Sequence, residues 1–297
     1  MQLLDGVPLD ELIGQLAELE SKGLGQDPIQ QAFETRVARQ ETKNRENSLT
    51  GDEALDQEVY ELRESDIVGE SSKPKRSIRY GTEHWRRIAD IGVQVADALQ
   101  YAHSRGVMHR DIKPSNLILG SDSRVWVTDF GLAVTPQQER LSCSGDVVGT
   151  LRYLSPEQLH GESDRRSDVY GLGLTLYELM TMRPAFQDES RGALIRKVSN
   201  SLPPTPRSLC REIPKDLETV ILKAIAKSPE SRYKSAAEFS ADLRRFRDDQ
   251  PIRARRIGPV ERLCRWSRRN PAIAGMSLVL MIGAVVSFTA VSWNWRQ

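Results

Sequence analysis

Apolar residues recur along most of this chain at the spacing expected of helices. The first such stretch begins near the N-terminus and predicts a helix after an Asp5-Gly6 turn; its apolar positions are Leu9, Leu12, Ile13, Leu16 and Leu19. A second apolar face begins near 83 and predicts a long helix that Gly106 ends; its members are Ile88, Ile91, Val95, Ala98, Leu99 and Ala102. Residues 167–180 are apolar on nearly every side, which predicts a buried central helix. Three further amphipathic helices are expected at 190–199, at 214–227 and after a capping box at 235–238.

The helical pattern stops between residues 22 and 82. Charged and amide side chains dominate this stretch and large apolar residues are sparse. Such a composition buries too little apolar surface to offset chain entropy, so we expect a polar insertion that is disordered or weakly helical. It is either a solvated spacer or a docking or autophosphorylation segment that uses Ser71, Ser72 or Ser77.

The pattern changes again at the C-terminal end. Residues 251–270 are rich in arginine, and residues 271–293 carry no charge and are long enough to cross a bilayer. With Trp293 and Trp295 at the far end of this run, residues 271–293 predict one transmembrane helix, with the preceding region on the cytoplasmic side of the cell membrane. A buried core helix is the alternative. We expect the arginines to bind anionic lipid head groups rather than nucleic acid. Gly283 and Ser287 are two small residues separated by three others, a spacing found in pairs of transmembrane helices, so a homodimer is also possible.

Composition narrows the class of protein further. The net charge of +1 over 297 residues provides no overall field for binding nucleic acid. Three cysteines at distant positions do not suit a disulfide scaffold or a zinc site.

The candidate chemistry lies in residues 107–131. Two short apolar runs at 117–119 and 125–127 predict buried strands. Asp111 and Asn116 precede the first strand, and Asp129 follows the second. Amide and carboxylate oxygens suit Mg²⁺ whose coordination is completed by substrate phosphates, and Asp111 is placed to accept a proton.

This stretch resembles the protein kinases. Residues 109–116 read His-Arg-Asp-Ile-Lys-Pro-Ser-Asn, which is similar to the catalytic loop, and 129–131 read Asp-Phe-Gly, which is similar to the metal-binding motif. The lysine at 113, with Gly149-Thr150 downstream, resembles Ser/Thr kinases of the eukaryotic type found in bacteria.

The resemblance implies a role for each matching residue. Asp111 would orient the substrate hydroxyl and take its proton, while Lys113 would neutralise the transferring phosphoryl group. Asn116 and Asp129 would hold Mg²⁺ against ATP, and Ile118 would pack beneath the adenine. Protein Ser/Thr hydroxyls would be the substrates.

Other matching positions would be structural or belong to the activation segment. His109, Phe130 and Gly131 would pack around the motifs, Asp168 would hold the catalytic loop, and Glu157 would pair with Arg232; these assignments follow the family pattern. In the activation segment, Thr150 would shape the hydroxyl site. Arg110 would bind a phosphate on Ser142 or Ser144, although these serines equally fit an ordinary solvated loop.

The expected fold class is mainly α: a kinase-like C-terminal lobe, helical with short strands around the catalytic loop, plus one transmembrane helix. Residues 1–21 would form the hinge and first helix of this lobe, and 83–250 its remainder. No Gly-rich phosphate loop or partnered lysine strand is found in the sequence, so an N-terminally truncated kinase is expected. The alternative is a catalytically inactive interaction module tethered to a membrane.

Overall fold

The computed structural model describes residues 6–22, 28–49, 80–130, 146–188 and 190–254. The first part contains β1 (Gly6–Pro8), α1 (Leu9–Lys22), α2 (Pro28–Leu49) and α3 (Thr82–Ser104). The catalytic stretch follows with β2 (Leu117–Gly120) and β3 (Val125–Val127). The remaining helices are α4 (Asp146–Leu151), α5 (Arg165–Thr181), α6 (Arg191–Asn200), α7 (Pro206–Leu209), α8 (Lys215–Ala224) and α9 (Ala236–Arg247).

The three strands form one antiparallel sheet in the order β1-β2-β3. Pro8 lies opposite Ile118, which in turn lies opposite Trp126. The β2–β3 hairpin has a short turn, so the residue before β2 and the residues after β3 emerge at the same end of the sheet. This arrangement brings Asn116 and Asp129 together.

Helix α5 is the centre of the core, as its uniformly apolar sequence predicts. Thirteen of its seventeen residues are buried, and its N-terminus is closed by a capping box between Asp164 and Ser167. A β-carbon added at Gly92 of α3 would lie 2.7 Å from Leu176 of α5 and 2.8 Å from Leu243 of α9. The three helices therefore meet without a gap at Gly92.

Helix α2 lies inside the stretch predicted as a polar insertion that is disordered or weakly helical. Its first turns bury Ile29, Ala32 and Phe33 in the core, and Arg36 pairs with Glu11 of α1 at 2.7 Å. The apolar residues are confined to these turns, so the average polarity of the whole stretch concealed them. Residues 50–79, including Ser71, Ser72 and Ser77, lie outside the described residues.

The predicted fold class is wrong in its transmembrane part. None of the helices in the described ranges is both long enough and apolar enough to cross a bilayer. The prediction rested on 271–293, which lie outside the described residues, as do 255–270 of the Arg-rich segment.

Candidate active site

The catalytic loop is held by one buried carboxylate at the start of α5. Asp168 accepts hydrogen bonds from the backbone N–H groups of His109 (2.9 Å) and Arg110 (2.7 Å). Its side chain is 1% exposed and also contacts His103 Nε2 at 2.7 Å. These bonds hold Arg110 at φ 69°, in the left-handed region that costs a non-glycine residue energy. The loop conformation is therefore imposed by the core beneath it.

Asp111, Lys113 and Thr150 form a connected polar group at the surface of the loop. Lys113 Nζ lies 3.0 Å from Asp111 Oδ2 and donates to Thr150 Oγ1 at 3.1 Å. The Asp111 side chain is 16% exposed, so it can reach a group arriving from solvent. The Lys113 ammonium therefore joins the Asp111 carboxylate to the Thr150 hydroxyl.

Asn116 and Asp129 lie at the same end of the β2–β3 hairpin. The Asn116 amide nitrogen donates to the backbone oxygen (2.8 Å) and to Oδ2 (3.3 Å) of Asp111. Its Oδ1 accepts none of the hydrogen bonds found among the described residues. Asp129 adopts φ 60°, and its neighbour Thr128 donates through N–H (3.0 Å) and Oγ1 (3.2 Å) to the Asn116 carbonyl. One amide oxygen and one carboxylate fit Mg²⁺, which commonly takes its other ligands from phosphates and water.

His109 connects the loop to the hairpin. It is fully buried, its Nε2 lies 2.8 Å from the Thr128 carbonyl, and its Nδ1 accepts from the Asp111 N–H at 3.3 Å. A carbonyl requires a donor and an N–H requires an acceptor, so these contacts assign the neutral tautomer protonated at Nε2. The Phe130 ring packs on the His109 ring with the two ring centroids 4.7 Å apart. Both side chains therefore have a packing role.

Ile118 lies on the middle strand, half-buried. A β-carbon at Gly6 would lie 2.5 Å from Ile118 Cγ2, so β1 approaches this side chain directly. Gly131, Ser142 and Ser144, which the sequence also marked, lie outside the described residues.

Glu157 and Arg232 form the ion pair that the sequence predicts. Arg232 Nη1 and Nη2 lie 2.7 Å and 2.9 Å from the two Glu157 oxygens, and the Arg232 side chain is completely buried. Burial is the largest single effect and raises the pKa of Glu157, but the hydrogen bonds from Arg232 and Ser155 and the charge of Arg232 together outweigh it and hold that pKa at about 2. The pair fastens the Ser-Pro-Glu segment to the turn before α9.

Three positioning residues escaped the sequence analysis. His103 supports Asp168, Thr128 binds the Asn116 carbonyl next to Asp129, and Gln158 donates to the Arg110 carbonyl at 2.8 Å. Each acts across a large sequence separation, so no local spacing indicates it. Thr128, directly before the Asp-Phe-Gly motif, is the one that a motif-centred search would have reached.

Comparisons with known proteins agree with this geometry. The family model described as the protein kinase domain matches residues 67–241. Serine/threonine-protein kinase PknB of Mycobacterium tuberculosis is 38% identical over 175 residues, which cover 58% of this chain and 28% of that protein. A probable serine/threonine-protein kinase of Streptomyces coelicolor is 39% identical over 171 residues, which cover 57% and 25%.

The family match spans the region that carries the site. The chain spans about a quarter of the length of these relatives. The family model covers more than half of the chain, and it includes the catalytic loop, the hairpin, α5 and Arg232. The chain therefore belongs to the protein kinase domain family.

Proposed function

We propose that this chain serves in the transfer of the γ-phosphoryl group of ATP to serine and threonine hydroxyls of proteins. The observation that carries the proposal is the contact of Lys113 with both Asp111 and Thr150, at 3.0 Å and 3.1 Å. A proton acceptor, a cation and a hydroxyl are thereby gathered on one open surface. Phosphoryl transfer depends chiefly on such positioning and charge neutralisation.

Each member of this group has a distinct task. Asp111 orients the incoming hydroxyl and accepts its proton, because it is the anionic group exposed at the loop surface. Lys113 lies beside it and neutralises charge on the transferring group. Thr150 fixes the Lys113 ammonium and bounds the space for a serine or threonine side chain.

Asn116 and Asp129 complete the proposed nucleotide side of the site. The free Asn116 Oδ1 and the Asp129 carboxylate would hold Mg²⁺. When bound, that ion supplies positive charge at the phosphate oxygens. Ile118 offers an apolar side chain on β2 for the adenine. Asp168 and His109 keep the ligands in place through the loop backbone and through Thr128.

Arg110 has a separate proposed task. Its Nε is buried and has no hydrogen-bond partner among the described residues. We expect it to bind a phosphate on the activation segment, with Ser142 and Ser144 as the candidate acceptors, because a guanidinium binds a phosphate in two-point fashion.

Transfer of label from [γ-³²P]ATP to a mixed protein acceptor tests the proposal. With MgCl₂ present, label should appear on phosphoserine and phosphothreonine after acid hydrolysis. Asp111→Asn should lower the rate at least about a hundredfold, the lower end expected of a lost general base, without lowering the melting temperature.

Asp122→Asn provides the matched control. Asp122 lies on the β2–β3 turn and its side chain is 55% exposed, so this variant should transfer label at the wild-type rate. Equal rates for wild type and Asp111→Asn, or label on tyrosine alone, would refute the proposed activity.

A further inference from the structure

Arg152, two residues after Thr150, is a charged side chain whose Nε has no hydrogen-bond partner among the described residues. It is half-buried, and its Nε is shielded from solvent without a hydrogen-bond acceptor. Within the ranges that the structure describes, its guanidinium forms no ion pair. Buried donors are nearly always satisfied, because an unpaired one costs free energy. An unpaired arginine at a site of chemistry therefore suggests a ligand that arrives from outside.

One carboxylate whose pKa is influenced by the charge of Arg152 is already engaged in a hydrogen bond. Glu178 of α5 accepts a hydrogen bond from the Tyr153 hydroxyl at 2.5 Å. Burial raises the pKa of Glu178, and the charge of Arg152 opposes that rise without a direct contact. Glu178 therefore already has one hydrogen-bond donor, the Tyr153 hydroxyl.

The position of Arg152 relates it to the substrate. Thr150, two residues earlier, accepts from the lysine that contacts Asp111. Two chain steps place the Cα atoms of residues 150 and 152 at most about 7.6 Å apart. An extended peptide advances about 3.3 Å per residue, so a side chain within about three residues of the acceptor hydroxyl comes within reach of Arg152.

We propose that Arg152 is a specificity-determining residue that binds an acidic side chain of the protein substrate close to the phosphorylated hydroxyl. The inference rests on the proposed function, since it takes the surface around Asp111 to receive that hydroxyl. Guanidinium and carboxylate make paired charge-assisted hydrogen bonds. A carboxylate from the substrate would satisfy the donors that the fold leaves open.

Carboxylates near Arg152 make a preference for basic substrates the opposite outcome of the test. Asp10 of α1 and Glu178 both place negative charge near Tyr153. If these carboxylates dominated the surface, the substrate would carry a basic side chain there. Peptides that differ only in the sign of one charge separate the two cases.

Peptide binding to the full chain tests the proposal without requiring catalysis. Each fluorescent ten-residue peptide would carry alanine in place of the acceptor serine. The peptides would be compared in pairs that differ at one position only, with Glu in one member and Lys in the other, and that position would be one of the three before or the three after the alanine. Anisotropy in low salt should show the Glu form bound about tenfold more tightly than the Lys form at one position at least, the ratio expected for a partly desolvated charge-assisted pair. Arg152→Gln should remove that preference and Arg152→Glu should reverse it.

Arg124→Glu is the matched charge reversal. Arg124 lies on the β2–β3 turn with its side chain 73% exposed, so this variant should keep the wild-type ratio. A preference for Lys peptides in the wild type, or a Glu-to-Lys ratio that Arg152→Glu leaves unchanged, would overturn the proposal. Because these peptides cannot be phosphorylated, failure of phosphoryl transfer alone would sink the proposed activity and leave this result standing.

Discussion

Removal of Arg232 should destabilise the protein more than any single surface change. The side chain is completely buried and pairs with both Glu157 oxygens. It also donates to the backbone carbonyls of Ala226 (2.6 Å), Lys227 (2.8 Å) and Arg166 (3.3 Å). Arg232→Met keeps much of the apolar stem but leaves all of these acceptors without their donor.

The size of the effect follows from the loss of one partner of a buried ion pair. Such a loss costs about 3–5 kcal/mol, because the remaining charge stays buried and unpaired. At about 2–4 °C per kcal/mol for a domain of this size, the melting temperature should fall by roughly 10 °C. Arg244→Met is the control, because Arg244 pairs with Asp97 at the surface, where both side chains are nearly half exposed, and should cost about 0–1 kcal/mol.

The same pair predicts how stability depends on pH. The pKa of Glu157 is depressed from 4.5 to about 2 in the folded protein, so its contribution is complete above about pH 4.5 and is lost as the pH falls toward 2. The shift corresponds to about 3 kcal/mol before solvent screening, and we expect about 1–2 kcal/mol after it. Glu157→Gln cannot titrate and should lack this part of the acid destabilisation.

Urea unfolding at several pH values measures both effects. The difference in unfolding free energy between wild type and Glu157→Gln should shrink as the pH falls from 5 to 2.5, while groups common to both proteins cancel. An Arg232→Met protein within about 1 kcal/mol of wild type at pH 7 would contradict the reasoning. So would a wild-type minus Glu157→Gln difference that does not change with pH.

Two further substitutions test the support of the site. A β-carbon at Gly171 would lie 2.9 Å from the Ile112 carbonyl oxygen, so Gly171→Ala should lower the free energy of unfolding in urea by about 1–3 kcal/mol. The control is Gly14→Ala in α1, where a β-carbon would meet no neighbouring atom within 4 Å, and this variant should raise the free energy of unfolding by about 0.5–1 kcal/mol. Equal effects of the two substitutions would disprove the close approach at Gly171. Gln94→Leu removes the acceptor of the Val125 N–H (3.0 Å) and should weaken Mn²⁺ binding in the presence of ADP, measured by electron paramagnetic resonance; unchanged affinity would show that the hairpin does not need this clamp.

The parts of the site that could be predicted from sequence are those that depend on short spacing. Asp111, Asn116 and Asp129 lie within nineteen consecutive residues and flank two strands, and the structure brings the first two into direct contact. The identity of α5 as the central helix followed from its apolar sequence in the same way. In both cases the structure that the local sequence pattern predicts is the one that the folded environment requires.

Sequence reasoning failed where tertiary contacts overrode average composition. Ile29, Ala32 and Phe33 stabilise α2 by packing in the core, although the stretch around them is polar. Likewise, the left-handed conformation of Arg110 depends on Asp168, 58 residues away. Neither the packing of α2 nor this bond is visible to any window-based analysis.

The active-site residues are held from two independent sides of the core. On one side, Asp168 of α5 binds the backbone at Arg110 and fixes the catalytic loop. On the other, Gln94 of α3 donates to the Ser123 carbonyl (3.0 Å) and accepts from Val125, which fixes the hairpin turn. The two halves meet where Thr128 and Asn116 hydrogen-bond. Because α3 and α5 pack directly at Gly92, we expect a change in their packing to alter the position of the catalytic loop relative to the hairpin, so substitutions at this helix contact should affect both parts of the candidate site together.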